Sequence, residues 1–152
     1  MERVLAFNAH ITVLKGSAHF ADYATVLHKA SEAGGTVAAQ PFIMMEMRHT
    51  EAREQTIMVK GVDPTRWTAV MDVTKFLTKG SPELSWPQQS KELPPALIGY
   101  QLADELKLSL GDTFRLEPPA THPSLPPPPA MKAQEFSVTG LFRLTFEEYD
   151  RR

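Results

Sequence analysis

The chain has 152 residues, 16 Lys and Arg against 18 Asp and Glu for a formal charge of -2, and no cysteine. Near-neutral charge without a basic run removes the electrostatic footprint of a nucleic-acid binder. Missing thiols exclude disulfides, thiolate zinc sites and thiol nucleophiles. A hydrophobic content of 42% with 22% charged residues describes a globular chain. Its longest apolar runs, such as Phe42-Ile43-Met44-Met45, are far short of the roughly 20 residues that span a bilayer, and the start is too short for a signal peptide.

In chain order, Phe7 to Leu14 alternates Phe7, Ala9, Ile11 and Val13 with Asn8, His10 and Thr12, which predicts a strand. Ser17 caps a predicted helix over 18–33, with Phe20, Tyr23, Ala24, Leu27, Ala30 and Ser31 on one face. Gly34-Gly35 ends it. Residues 36–49, with Pro41 marking an edge or bulge, and residues 55–62 then read as a hairpin across the polar turn 49–54. The first sixty or so residues therefore predict an α+β lobe of order β-α-β-β, in which the helix covers one face of the sheet.

Asp63-Pro64 opens a second predicted helix with Trp67, Val70, Met71, Thr74 and Leu77 as its buried stripe, stopped by Gly80-Ser81-Pro82. Residues 80–95 hold Pro82, Pro87, Pro94 and Pro95 and form a loop packed by Leu84 and Trp86. A short strand over 96–99 leads into a helix over 100–108, with Leu102, Ala103, Leu106 and Leu110 inward. Gly111-Asp112 is a tight turn into a strand over 113–117, whose antiparallel partner is 135–142. The expected organisation is a first lobe over 1–63, an inserted lobe over 64–95, and a helix, turn and hairpin over 96–152.

Between those last two strands lie Pro118, Pro119, Pro123, Pro126, Pro127, Pro128 and Pro129, seven of the chain's 13 prolines. Hairpin loops usually have two to five residues, so a connection this long marks function or disorder. The run Pro126–Pro129 predicts polyproline II, a rod about 12 Å long at roughly 3.1 Å per residue. A stiff arm loses little entropy when a partner grips it. Leu125 and Met131 flank the rod as apolar anchors, and Arg115 and Lys132 stand at its base. A partly ordered surface insertion, or a ligand for an SH3-type groove, fits the same residues.

The segments Phe7-Asn8-Ala9-His10-Ile11-Thr12-Val13, Ile57-Met58-Val59-Lys60-Gly61-Val62-Asp63-Pro64 and Ile98-Gly99-Tyr100-Gln101-Leu102-Ala103-Asp104-Glu105-Leu106 occur in an order that resembles the lipoprotein-releasing ABC transporter permeases, the LolC/LolE family. Leu110-Gly111-Asp112, Phe136-Ser137-Val138-Thr139-Gly140-Leu141-Phe142 and Tyr149-Asp150 continue the resemblance to the end of the chain. It extends to the related MacB-type exporters. The resemblance implies a periplasmic domain of an inner-membrane protein, with a porter-like lobe, an inserted lobe and a protruding proline-rich hook at 118–131. That hook would capture a periplasmic, LolA-like lipoprotein chaperone through Pro118, Pro119, Leu125, Pro126, Pro127, Pro128, Pro129 and Met131, with Arg115 and Lys132 meeting acidic groups. Implied partners are the lipoprotein substrate, a partner permease and a cytoplasmic ATPase subunit. Membrane attachment would come through segments absent from this chain, which looks truncated at its C-terminus. The alternatives are a MacB-type exporter domain and a stand-alone small-ligand-binding β-barrel.

No catalytic or metal motif accompanies this pattern. His28 and Glu32 are spaced i, i+4 without a second ligand pair and read as a solvated helix face. There is no phosphate-binding Gly-x-x-x-x-Gly-Lys-Ser/Thr and no Gly-x-Ser-x-Gly elbow. Glu46, Glu51 and Glu54 read as solvated charges, Trp67 and Trp86 as core. Met44, Met45, Met47, Met58 and Met71 divide between core and an adaptable surface. The expectation is a non-enzymatic domain with no cofactor and no metal.

Overall fold

The computed structural model describes residues 9–15, 20–50, 56–87, 90–118 and 132–143. They form a mixed α+β structure on one six-stranded sheet. The elements are α1 (Tyr23–Glu32), β1 (Phe42–His49), β2 (Thr56–Val62), α2 (Trp67–Val70), a 3-10 turn (Val73–Phe76), β3 (Leu77–Gly80), β4 (Pro95–Gly99), α3 (Tyr100–Glu105), β5 (Thr113–Glu117) and β6 (Gln134–Phe142). The strands run β2-β1-β5-β6-β3 through antiparallel neighbours, and β4 pairs with β6 in parallel.

β1 and β2 pair as the sequence predicts, with Phe42 opposite Val62 and Arg48 opposite Thr56. Their alternation puts Met47 and Ile57 into the core. β5 and β6 pair over Thr113–Leu116 and Gln134–Ser137, and the turn before β5 is clasped from both sides. The Gly111 amide donates to the Val138 carbonyl at 2.8 Å, and the Val138 amide donates to the Asp112 carbonyl at 2.9 Å. Asp112 also accepts the Ser109 amide on Oδ2 at 2.8 Å.

The main core gathers Met47, Ile57, Ile98, Leu102, Phe114, Leu116 and Val138 from every strand except β3, with α3 laid over it. Trp67, Met71, Val73 and Phe142 form a second cluster beside it, with Leu84 packed against them.

Five expectations are corrected. Residues 9–15 form no strand, and Ile11 and Leu14 are 82% and 77% exposed. Helix α1 forms within the predicted span but starts at Tyr23 rather than near residue 18 (the predicted cap Ser17 lies outside the described residues), and none of its residues is buried. It does not cover the sheet; the helix packed on the main core is α3.

The helix predicted from Asp63 to Leu77 is only one turn long. Asp63 Oδ1 accepts the Thr65 amide and hydroxyl at 2.9 and 2.6 Å, a local turn that starts the chain toward Trp67. After Val70 the backbone tightens to a 3-10 turn and then extends as β3, since long-range pairing with β6 supplies the hydrogen bonds a helix would have made. Trp86, expected in the core, is 39% exposed, its indole Nε1 donating to the Glu92 carbonyl at 2.8 Å. Leu110 is 47% exposed rather than inward.

Gly80 sits at the tightest contact. It has φ +84°, and a Cβ there would lie 2.2 Å from the Thr139 carbonyl oxygen and 2.8 Å from Gly140 Cα. Gly111 has φ +90° but open space around it. Gly111→Ala should therefore cost only the left-handed strain, about 1–2 kcal/mol, whereas Gly80→Ala adds a backbone collision for a total of about 2–4 kcal/mol. Urea unfolding of the two variants checks the order; equal losses would show that β3 yields without penalty.

Candidate functional site

Two regions stand out once the sheet is in place. The first is the base of the proline segment. Register sets Arg115 opposite Glu135 and Leu116 opposite Gln134, so the chain leaves β5 and enters β6 on adjacent strands. Phe114 stacks on Phe136 with ring centroids 5.6 Å apart, bracing the two strands.

Thr50 ties the same spot to the end of β1: its amide and hydroxyl both donate to the Arg115 carbonyl, at 3.2 and 2.8 Å. Arg48 Nε donates to the Pro118 carbonyl at 3.3 Å. Pro118 thus leaves a base held by three strands.

Of the residues expected to meet a partner, Arg115, Pro118 and Lys132 fall within the described structure. Pro119, Leu125, Pro126, Pro127, Pro128, Pro129 and Met131 lie outside the described residues. Arg115 Nη1 stands 3.7 Å from Glu135 Oε1, both side chains about half exposed; its charge already has a local neighbour. Lys132 is exposed.

The second region was not foreseen. β2 and β4 each have one strand neighbour among the described residues, β1 and β6 respectively, so each keeps an open edge. A cleft of about 370 Å³ runs along residues 57–62 of β2 and 95–98 of β4. Trp67, Met71, Leu97, Leu102 and Phe114 contribute to its apolar wall. The Lys60 side chain is the charged group of its lining.

The Lys60 ammonium rests 3.3 Å from Met71 Sδ and 5.2 Å from the centre of the Phe42 ring. A sulfur and a π face are weak partners for a cation. Among the described residues no carboxylate lies within ion-pair distance of it. No sequence periodicity signals this cleft, because its walls come from separate elements; an isolated lysine on the apolar strand 56–62 is the one hint.

The helix pair His28 and Glu32 meets at 3.1 Å between Nδ1 and Oε2, both side chains about 70% exposed. Among the described residues no three His, Asp or Glu side chains converge as a metal site would need.

Comparison of the chain with protein-family models and with curated proteins finds no match.

Burial pushes the Lys60 ammonium below the ordinary lysine range. The folded state therefore releases this proton more readily than the unfolded state, and stability rises with pH through the interval between the lowered value and 10.5. Below that interval the charge counts fully against the fold. Lys60→Met should melt at a higher temperature than the parent at pH 7, with the gap narrowing as the solution is made alkaline. A pH-independent gap, or none, would show that the ammonium is fully hydrated.

Proposed function

We propose that this chain is a periplasmic, non-catalytic domain of a lipoprotein-releasing permease of the LolC type, in which the segment 118–131 is a protruding hook that docks a periplasmic lipoprotein chaperone. The reading keeps the porter-like and inserted lobes as the organisation of residues 1–95. Docking on the hook positions the chaperone to receive an acylated protein, while ATP hydrolysis belongs to a separate cytoplasmic subunit of the full complex.

One observation carries the reading: the proline-dense segment connects adjacent antiparallel strands, β5 and β6, and the end of β5 where it begins is tied to the end of β1 through Thr50 and Arg48. An arm transmits force or position only if its base is rigid. The order of the sequence segments that resemble these permeases supports it further. A closed ligand-binding barrel is the weaker reading, because among the described residues the sheet does not close between β2 and β4. A MacB-type exporter domain fits the same sheet but supplies no reason for a stiff arm.

The test is titration with a purified LolA-like chaperone. Replacing Leu125 by Ser and Pro126–Pro129 by Gly and Ser should raise Kd by at least about tenfold, about 1.4 kcal/mol, with the melting temperature unchanged. An unaltered Kd would refute the hook, and no affinity in the parent protein would point to the exporter reading.

A companion variant reads the base. Glu135→Ala should change stability by less than about 1 kcal/mol, as expected for an exposed ion pair. It should also tighten chaperone binding by freeing Arg115. Weaker binding would mean that Glu135 itself faces the partner.

A further inference from the structure

We infer that the cleft between β2 and β4 is a binding site for an anionic amphiphile of the fatty-acid class, its alkyl chain against the apolar wall and its carboxylate on the Lys60 ammonium. The inference is independent of any docking role for residues 118–131.

Three observations converge. The cleft, at about 370 Å³, falls within the roughly 300–1,000 Å³ of small-molecule sites, which combine apolar walls with a few placed polar groups. Its walls are contributed by both cores: Ile57, Leu102 and Phe114 from one, Trp67 and Met71 from the other. Fixed elements therefore hold it open from both sides. Among its lining residues is Lys60, whose ammonium has the thioether sulfur of Met71, itself a lining residue, and an aromatic face for company, and no carboxylate among the described residues within ion-pair distance. Removing a charge from water is costly unless a counter-charge is supplied. An entering carboxylate supplies it, and the desolvated setting strengthens the contact.

The charge also chooses among occupants. The exposed apolar segment 9–15 of this chain, Ala-His-Ile-Thr-Val-Leu-Lys, contains no Asp or Glu. Laid into the cleft it would bury more of Lys60 without neutralising it. A neutral hydrocarbon has the same defect, and a cationic amphiphile adds repulsion. A single-headed anion with an unbranched chain satisfies both the wall and the ammonium.

The test is titration of the protein with dodecanoate below its aggregation concentration, followed by methyl NMR of Met44, Met58 and Met71, which line the cleft. Those methyls should shift saturably. Lys60→Met should weaken binding by at least about tenfold and Lys60→Arg by no more than about threefold, since the guanidinium keeps the charge. Dodecyltrimethylammonium, with the same chain and the opposite head, should not compete.

Three results would overturn the inference. One is the absence of any shift at these methyls. Another is equal affinity for the cationic and anionic chains, or for the parent and Lys60→Met. The third is a shift of the same methyls in ligand-free protein on Ile11→Lys or Val13→Lys substitution, which would mean that residues 9–15 already fill the cleft.

Discussion

Strand β6 is the constraint on which the remaining structure depends. It bonds to β5 along its first half, to β3 along its second, and to β4 along the opposite edge. Its Val138 is 1% exposed, the most deeply enclosed of the core side chains. Three segments far apart in sequence become neighbours only because this strand accepts all of them. Space there is tight enough that β3 must present Gly80 where it passes Gly140. The same strand carries Phe136 and Glu135 at one end, beside β5, and Phe142 at the other, in the second core. A disturbance anywhere along β6 is therefore felt at both candidate regions.

The two regions differ in physical character. The base of the proline segment is assembled from backbone bonds and a stacked aromatic pair, interactions that fix geometry and carry little net charge. The cleft is the reverse: an apolar wall with one ammonium that the fold leaves poorly compensated. The first suits gripping by a protein whose contacts lie further out. The second suits a small molecule that brings its own charge.

Much of the architecture is local and so can be read from the chain. The apolar runs within 36–49 and 55–62 on either side of a polar turn, the Gly111-Asp112 turn and the Phe114/Phe136 strands need nothing beyond neighbouring residues to declare themselves. The region from Asp63 to Gly80 misleads for a physical reason. Trp67, Val70, Met71, Thr74 and Leu77 obey helical spacing, yet the partner that decides the outcome, β6, lies some sixty residues later. Local propensity yields to pairing of that range. The stripe on α1 declares a helix correctly but not what covers it. The cleft is illegible in advance, since Lys60 gains meaning only when Met71 and the edge of β4 are beside it. Of the candidate hook, only its footing is visible in the described residues.

The two tryptophans are placed in opposite surroundings: Trp67 sealed in the second core, Trp86 on a surface loop with its indole bound to Glu92. Their emission should accordingly differ in colour, blue for the enclosed ring and red for the wetted one. The protein thus contains a built-in pair of optical probes, one for the integrity of the packed interior and one for loosening of the chain around Trp86, so partial and complete melting can be told apart without any label.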